Sequence, residues 1–380
     1  MKIVHITENY IEGWGYQENL LPLYQKRAGH DVVVISDNDH LKYAQSKQIE
    51  EKIRRRGNEY WQDGIKVYKI KTYLTTSSAT FLCFGLYKIL ERERPDVIFH
   101  HNVNTSTLFV ASKYKRHYTN VLLYADNHID WINESRNRIW RKIYYDILLP
   151  LHVKWLGDDV KYYIGVSPLR CQYMSKVFKA PEEKVRFLPI GCDTDGAGLI
   201  TESKEELRKQ NHIDEDAFVV VSGGKIDRTK GTHILIEACE RLVKLIPNLH
   251  LILFGNIKDD IMQIARQKSW IILDGWCDRP KTLSLLKMAD VACWPWLHTT
   301  LIEDSVASGI PLVVKMSDNV CHFAKEQAGV FLERGDVDEL EKALLTVRSN
   351  SKIYSKNAEM ARQKFSYTTI VERLYEEDFY

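Results

Sequence analysis

Two short segments concentrate the residues able to handle a phosphorylated ligand. The first is Ser222-Gly223-Gly224-Lys225-Ile226-Asp227-Arg228-Thr229-Lys230-Gly231, which follows a β-like run at 218–221 and precedes the helical run HILIEACERL. Glycines at a strand end let backbone N–H groups approach a ligand, and a following helix offers its positive end to an anion. Lys225 and Lys230 stand on either side of this tight loop and are able to converge on one diphosphate. The order is not that of a Walker A loop. A solvated turn with two ordinary lysines fits the same spacing. The second segment, 294–314, reads WPWLHTTLIEDSVASGIPLVV. Thr299 or Thr300 is a natural N-cap there, and Glu303 stands at capping-box spacing from Thr300. Gly309 ends the helix and Pro311 opens the next strand. Capping accounts for Glu303 and leaves Asp304 unexplained. Neighbouring helical positions point about 100° apart, so only one of the two carboxylates can face a ligand squarely.

The N-terminal half carries weaker signals. Gly13-Trp14-Gly15-Tyr16-Gln17-Glu18 lies between the first strand and the first helix, without the third glycine of a dinucleotide fingerprint. Asp126-Asn127-His128 follows a strand expected at 120–124, at the carboxyl end where ligands of open α/β sheets lie. His128 is the candidate to face a ligand, against a packing or capping role. His100 and His101 end the neighbouring strand and are the alternatives, one pointing inward and one outward. Residues 136–154 (RNRIWRKIYYDILLPLHVK) mix basic and aromatic side chains on an amphipathic period that Pro150 is expected to break. That composition suits an anionic membrane surface or a lipid-linked acceptor. It equally suits a surface helix whose aromatic stripe is buried in its own domain.

Such loops need a frame of parallel strands, and the chain supplies one twice. Continuous apolar runs at 2–6, 31–36, 65–70, 96–100, 120–124 and 162–166 alternate with helical periods at 15–27 and 81–93. The pattern restarts after a Gly/Asp-rich stretch at 191–198, with strands at 218–222, 249–254, 271–273, 291–294 and 311–314. This is an α/β chain of two doubly wound, Rossmann-like halves, and two such halves are expected to face each other across a cleft. The divisions read as 1–190, 191–360 and a terminal helix at 361–380. The polar segment 39–63, with Arg54, Arg55 and Arg56, reads as an insertion or mobile loop.

Composition narrows the class. At 380 residues, 44% apolar and 27% charged, the chain is neither disordered nor fibrous. Lys+Arg 53 against Asp+Glu 51 argues against a polyanion-binding surface, and no nucleic-acid partner is expected. The 7 cysteines form no CxxC pair, so a zinc ribbon and a disulfide framework are disfavoured. The N-terminus lacks a signal-peptide pattern, and no apolar run approaches the roughly 20 residues that span a bilayer. A cytoplasmic location is expected, at most on the inner membrane surface. The 9 Trp and 20 Tyr include rings in apparent loops, which favours contact surface over core.

The two chemistry-bearing segments, in this order, resemble the nucleotide-sugar half of glycosyltransferase family 4, retaining enzymes of the GT-B fold whose last helix returns to the N-terminal domain. The resemblance implies that Lys225 and Lys230 take the two basic positions of a G-[RK]-x4-K-G diphosphate loop. Asp304 takes the second acid of an E-x7-E segment, at the ribose hydroxyls. The first acid is missing: Trp296 stands at that position. His298 or loop amides are then expected to serve the sugar, with Trp296 and Glu303 beside them, while Trp276 and Cys277 lie where the base would bind. Gly13, Gly15, Gly224, Thr299 and Thr300 are expected to complete the diphosphate site. Trp14, Tyr16, Asp126 and Asn127 are assigned to the acceptor side, and His128 to the transferred sugar, with His128, Lys225 and Lys230 as catalytic candidates. Trp14, Trp131, Trp276, Trp294 and Trp296 are expected at the cleft, stacking on sugar or base.

The implied reaction moves a hexosyl unit from a nucleoside-diphosphate sugar, UDP favoured over GDP, to a hydroxyl of a glycan or lipid-linked acceptor in surface polysaccharide assembly. The acidic pairs Asp158-Asp159 and Asp259-Asp260 lie away from expected strand ends, so neither a metal nor a cofactor is expected. Alternatives are a non-catalytic GT-B partner with a decayed donor site, a GT-B sugar-nucleotide epimerase, and an NAD(P) oxidoreductase. The last lacks a GxGxxG with its later acid.

Overall fold

The computed structural model describes every residue except 9, 12, 38–50, 52–54, 76–80, 132–136, 377–378 and 380. The chain divides into Met1–Ile190 with Ile370–Tyr380 as one unit, and Gly191–Thr369 as the other. The division falls inside the terminal helix Tyr367–Glu376.

In the first unit the strands are β1 (Lys2–Thr7), β2 (Asp31–Asp37), β3 (Glu59–Gln62), β4 (Ile65–Ile70), β5 (Thr72–Thr75), β6 (Phe81–Cys83), β7 (Val97–His100), β8 (Leu122–Asn127), β9 (Tyr162–Gly165) and β10 (Val185–Phe187). Eight of them form one sheet in the order β10-β9-β8-β7-β1-β2-β4-β3, and β5 pairs only with β6. The main sheet is parallel except for the edge strand β3, which runs antiparallel to β4. Apolar side chains such as Val4, Val33, Ile98 and Leu123 bury one face under helices, and Val32, Val34, Ile65 and Val67 bury the other. Burial on both faces is why these strands read as unbroken apolar runs.

Several boundaries differ from the sequence reading. The strand expected at 120–124 runs instead from Leu122 to Asn127, because β9 pairs with it as far as Asn127 opposite Gly165. Residues 81–83 belong to the β5–β6 hairpin, and the helix begins only at Leu86, after Gly85 at φ 94°. The polar segment 39–63 ends in β3, while Arg54 and most of its first half lie outside the described residues. The basic–aromatic segment begins among undescribed residues at Arg136. It then runs as Arg138–Ile143, a π turn Tyr144–Leu148, and Leu149–Leu156. Pro150 does not break it: the backbone stays right-handed through Leu148 and Leu149, and the π turn immediately before the proline adjusts the hydrogen-bond ladder where an N–H is missing.

The second unit has β11 (Phe218–Ile226), β12 (Leu249–Ile257), β13 (Ile271–Asp274), β14 (Val291–Trp294), β15 (Leu312–Lys315) and β16 (Gly329–Leu332). All are parallel, in the order β13-β12-β11-β14-β15-β16. Chain order reverses between β11 and β14, and between β1 and β7 in the first unit. In open α/β sheets ligands gather at the carboxyl ends of the strands flanking such a reversal.

One local result changes the reading of the glycines. β11 does not end at Ser222 but continues to Ile226, paired residue by residue with β12. Gly223 lies opposite Phe254, and a Cβ on it would stand 2.1 Å from the ring. Gly255, at φ +104°, has the Gly224 carbonyl oxygen 2.3 Å from where its Cβ would be. These residues are glycine because two strands and a ring meet closely there. Gly223→Ala should cost about 1–3 kcal/mol through overpacking. Urea unfolding of the variant, read by tryptophan fluorescence, measures this, and an unchanged midpoint would remove the steric explanation.

Candidate functional site

The loop after β11 is organised by Asp227. Its carboxylate caps the short helix Arg228–Lys230, accepting the Lys230 N–H at 3.1 Å, the Thr229 hydroxyl at 2.6 Å and an ion pair from Lys225 Nζ at 3.0 Å. Burial opposes ionisation of Asp227, but these donors outweigh it and hold its pKa below the ordinary value. Gly231 follows at φ 77°, and Thr232–Val243 starts there. Lys225 is more than half exposed. Lys230 is tucked inward, with Nζ donating to the His298 carbonyl at 3.0 Å. Burial lowers its pKa, partly offset by Asp227. A Cβ on Gly224 would stand 3.3 Å from Leu301 Cδ1 and 3.8 Å from Thr299 Oγ1, so Gly224, Lys230, Thr299 and Thr300 are brought into one neighbourhood.

The helix after β14 spans Leu301–Ala307 with Thr300 as its N-cap residue. The Thr300 side chain makes no capping bond, and Glu303 forms no capping box. Glu303 is instead buried beside His298, Oε1 to Nε2 at 3.0 Å, while Oε2 has no hydrogen-bond partner. Burial pushes its pKa up, and His298 outweighs this to leave it lowered. Asp304 is also buried. Both its oxygens meet Arg279, at 2.9 and 3.0 Å, and the same guanidinium reaches Asp193 Oδ2 at 2.7 Å. Nothing in the residue order signals this triad, because Arg279 reads only as the first residue of a helix capped by Asp278. Asp304 is therefore a paired carboxylate and not an open one.

The tryptophans divide. Trp294, expected at a ligand surface, is buried in β14 and donates Nε1–H to the Gly223 carbonyl at 3.1 Å. It is core. Trp296, at the missing-acid position, donates to the Gly335 carbonyl at 3.0 Å and packs edge-on against His233. A Cβ on Gly231 would touch its ring at 2.9 Å, so Trp296 braces the Lys230–Gly231 turn. Trp276 is well exposed after β13. The neighbouring Cys277 thiol donates to the Gly275 carbonyl, and burial followed by Asp274 pushes its pKa up to about 11.

In the first unit Gly13 stands at φ 80° with open space at its Cβ position, and Trp14 packs edge-on against Tyr16 next to Gly15. Tyr16 precedes the helix Gln17–Arg27, which starts two residues later than expected. Asp126 and Asn127, assigned to the acceptor side, are fully buried. Asn127 Nδ2 donates to the Ile129 carbonyl at 2.8 Å and its Oδ1 accepts the Ile129 N–H at 3.1 Å, which shapes the turn carrying His128. Asp126 Oδ2 stands 2.7 Å from His101 Nδ1 and 3.3 Å from His128 Nε2. Both side chains are scaffold, since they lie within the strand and not in the loop beyond it. Burial disfavours charge on His128, but Asp126 outweighs it and raises the pKa.

His101, Asp126 and His128 also offer three metal-ligand atoms within 4.8 Å of one another. Two ligands of one tetrahedral ion at about 2.1 Å would stand about 3.4 Å apart. The 2.7 Å between His101 and Asp126 is hydrogen-bond spacing.

Two Rossmann-like sheets, parallel except for the edge strand β3, with a lysine-bearing loop at the strand-order reversal of the second, are the architecture of the GT-B fold. Residues 203–364 match Glycosyl transferases group 1, and residues 23–195 match Glycosyltransferase Family 4. The chain belongs to glycosyltransferase family 4. A UDP-Gal:alpha-D-GlcNAc-diphosphoundecaprenol alpha-1,3-galactosyltransferase of Escherichia coli is 21% identical over 79% of each chain. The lipopolysaccharide core biosynthesis glycosyltransferase LpsE of Rhizobium meliloti (strain 1021) is 28% identical over 39% of this chain and 44% of that one. In fold, the chain is similar to Anabaena HepE, solved with UDP, at TM-score 0.70, 16% identity and 99% coverage of both chains. WaaG, a glycosyltransferase involved in lipopolysaccharide biosynthesis, gives TM-score 0.61 at 13% identity and 99% coverage of both.

Arg279→Leu should leave Asp193 and Asp304 buried without their counter-charge and cost about 3–5 kcal/mol. Chemical denaturation checks this. A loss below about 1 kcal/mol would mean that the triad does not hold this part of the fold together.

Proposed function

We propose that this glycosyltransferase uses a UDP-sugar as donor and transfers the hexosyl unit, with retention, to a hydroxyl of a lipid-linked or glycan acceptor in surface polysaccharide assembly. One observation carries the donor side: Lys230, lowered in pKa and fixed between Asp227 and the His298 carbonyl, lies next to Gly224, Thr299 and the start of the helix Leu301–Ala307. Departure of the diphosphate develops negative charge, which Lys225, Lys230 and these amides would neutralise without a metal. The acceptor would attack on the face that the diphosphate leaves, with a phosphate oxygen taking its proton. Asp304, with Arg279 behind it, would accept from ribose through its remaining lone pairs. The pair His298–Glu303 would serve the sugar in place of the missing first acid, and His128 would act from the first unit. UDP in the solved relative and the diphosphoundecaprenol-linked acceptor named for the Escherichia coli enzyme support this choice of donor and acceptor.

A membrane contact on the cytoplasmic side belongs to the same proposal. No helix among the described residues is long and apolar enough to cross a membrane. The segment Arg138–Ile143, Tyr144–Leu148, Leu149–Leu156 nevertheless exposes Ile139, Ile143, Ile147, Leu148, Leu151 and Trp155. Four-residue spacing drifts by about 40° per step on an α-helix. The wider π turn takes part of that drift back, so the row stays on one side. Tyr144, Tyr145, Leu149 and Val153 are buried on the other side. The exposed row is aliphatic apart from Trp155, the aromatic rings Tyr144 and Tyr145 are buried as a plain surface helix would have them, and Arg138, Arg141, Lys142 and Lys154 flank the row. Apolar insertion with basic flanks suits an anionic bilayer surface.

Lys230→Ala should reduce turnover by about 100-fold or more, while chelation with EDTA leaves the wild-type rate unchanged. Rates come from UDP release in a screen of UDP-sugars against lipid-linked and glycan acceptors. An unchanged rate for the variant removes Lys230 from the reaction, and the absence of calorimetric binding to any UDP- or GDP-sugar removes the transferase reading. Donor alone, incubated and analysed for an isomerised sugar, exposes an epimerase. For the surface, the protein should sediment with phosphatidylglycerol vesicles and not with phosphatidylcholine alone. The exposed-site double variant Ile143→Asp/Ile147→Asp should stay in the supernatant. Equal sedimentation of wild type and variant would exclude this helix as the contact.

A further inference from the structure

A continuous file of hydrogen-bonded side chains runs behind His128 across the three adjacent strands β1, β7 and β8. Gln25 Oε1 lies 2.5 Å from His5 Nε2, and His5 Nδ1 lies 3.0 Å from His101 Nε2. His101 Nδ1 lies 2.7 Å from Asp126 Oδ2, which is 3.3 Å from His128 Nε2. Gln25, His5, His101 and Asp126 are buried, whereas the His128 side chain is 21% exposed. The file is sealed at one end and reaches the surface at the other. Asp126 Oδ1 accepts the Asn102 N–H at 2.9 Å, which keeps the carboxylate from turning.

The protons in this file can be counted. A carboxylate only accepts, so Asp126 takes an N–H from His101 Nδ1 and one from His128 Nε2. The Gln25 oxygen also accepts, so His5 carries its proton on Nε2. Burial, and then His101, push the His5 pKa down to about 3, so this ring is neutral and its Nδ1 is bare. In this arrangement the hydrogen between the two histidines is donated by His101 Nε2, so His101 donates from both ring nitrogens. A second arrangement uses the same atoms. If the Gln25 amide turns, its Nε2, which has no hydrogen-bond partner as placed, donates to His5. His5 then donates from Nδ1 to His101, and His101 is neutral. The two arrangements differ by one ring proton on the His5–His101 pair; at equilibrium with solvent that loss is matched by protonation of His128 Nδ1, favoured by an Asp126 carboxylate that no longer faces a doubly protonated His101. One proton leaves one ring and one arrives on another, so the count balances.

We propose that Gln25, His5 and His101 are positioning residues which, through Asp126, set the tautomer and charge of His128. Asp126 holds the Nε2–H of His128 and leaves Nδ1 as the nitrogen whose protonation changes. The file decides whether that nitrogen accepts or donates. Its functional meaning rests on the proposed role of His128 at the transferred sugar, but the file itself is measurable without substrate.

The experiment is a long-range proton–nitrogen correlation of the full chain labelled with nitrogen-15 histidine, followed through pH, with His128 assigned by its loss in His128→Gln. In wild type, neutral His128 should be the Nε2–H tautomer and titrate above the ordinary histidine value. Asp126→Asn should lower its midpoint by about one unit or more, since the opposite charge is gone. Gln25→Met, similar in size and apolar, removes the acceptor that fixes His5 and should raise the midpoint by about half a unit or more. His5→Phe, which keeps a ring against Phe99, cuts the file at the next bond and should move the midpoint the same way. Asp126 on β8, Glu18 on the helix Gln17–Arg27 and Arg170 on the helix Pro168–Tyr173 face His128, and the last two are unchanged in every variant. A midpoint within about 0.2 unit of wild type in both Gln25→Met and His5→Phe, or an Nδ1–H tautomer in wild type, would overturn the relay. Both shifts in a protein that transfers no sugar would keep the relay and remove the role of His128 in transfer.

Discussion

The bond from the Lys230 ammonium to the His298 carbonyl joins two loops 68 residues apart, and the proposed donor site depends on it. β11 and β14 lie side by side at the point where strand order reverses, so their carboxyl ends open a gap that helices do not cover. Two contacts tie the two loops beside that gap and a third joins the strands that carry them. Lys230 reaches the second loop, Trp294 donates to the Gly223 carbonyl, and Trp296 lies against Gly231. Asp227 keeps the first loop compact enough for these to form at once. The same residues thus shape the turn and concentrate positive charge in it.

The carboxylates behind this site are held by a similar economy. Asp304 and Asp193 share one guanidinium, and Glu303 leans on His298. A buried carboxylate needs donors, and each has found one on a different element. The acid absent at position 296 is consistent with that arrangement. The ring in its place secures the lysine turn, while a neighbouring histidine–carboxylate pair supplies polar groups a few residues later.

The first unit follows the same logic with different chemistry. β8, β7 and β1 are neighbours, so Asp126 in β8, His101 just past β7 and His5 in β1, itself opposite Phe99, come within hydrogen-bond reach of one another. The polar file they form is buried at its far end and meets the surface at His128. A polar chain inside a parallel sheet is costly unless every member is bonded, and the one orphaned atom in it, Gln25 Nε2, marks the place where the chain can rearrange.

Much of this was readable in the residue order. Apolar runs alternating with helical periods implied two doubly wound units, and Lys225, Lys230 and the segment around Asp304 pointed to a nucleotide-sugar transferase. Local pattern carries such information because strand burial, glycine freedom and helix starts depend on near neighbours. Other features were legible only in part. The glycines after Val221 marked the right place for a different reason, the closeness of Phe254 and Gly255. Asp126 and Asn127 were noticed but placed one strand-end too far out. Arg279, Asp193, His5 and Gln25 gave no signal, and Trp294 misled, because partners for buried charges and rings come from strands and helices far apart in sequence. The sequence by itself determined the fold class, the family and the loop that carries the lysines. Only the tertiary structure decided which carboxylates are paired, which rings are core and which histidine reaches the surface, since burial and charge compensation exist only once distant elements pack together.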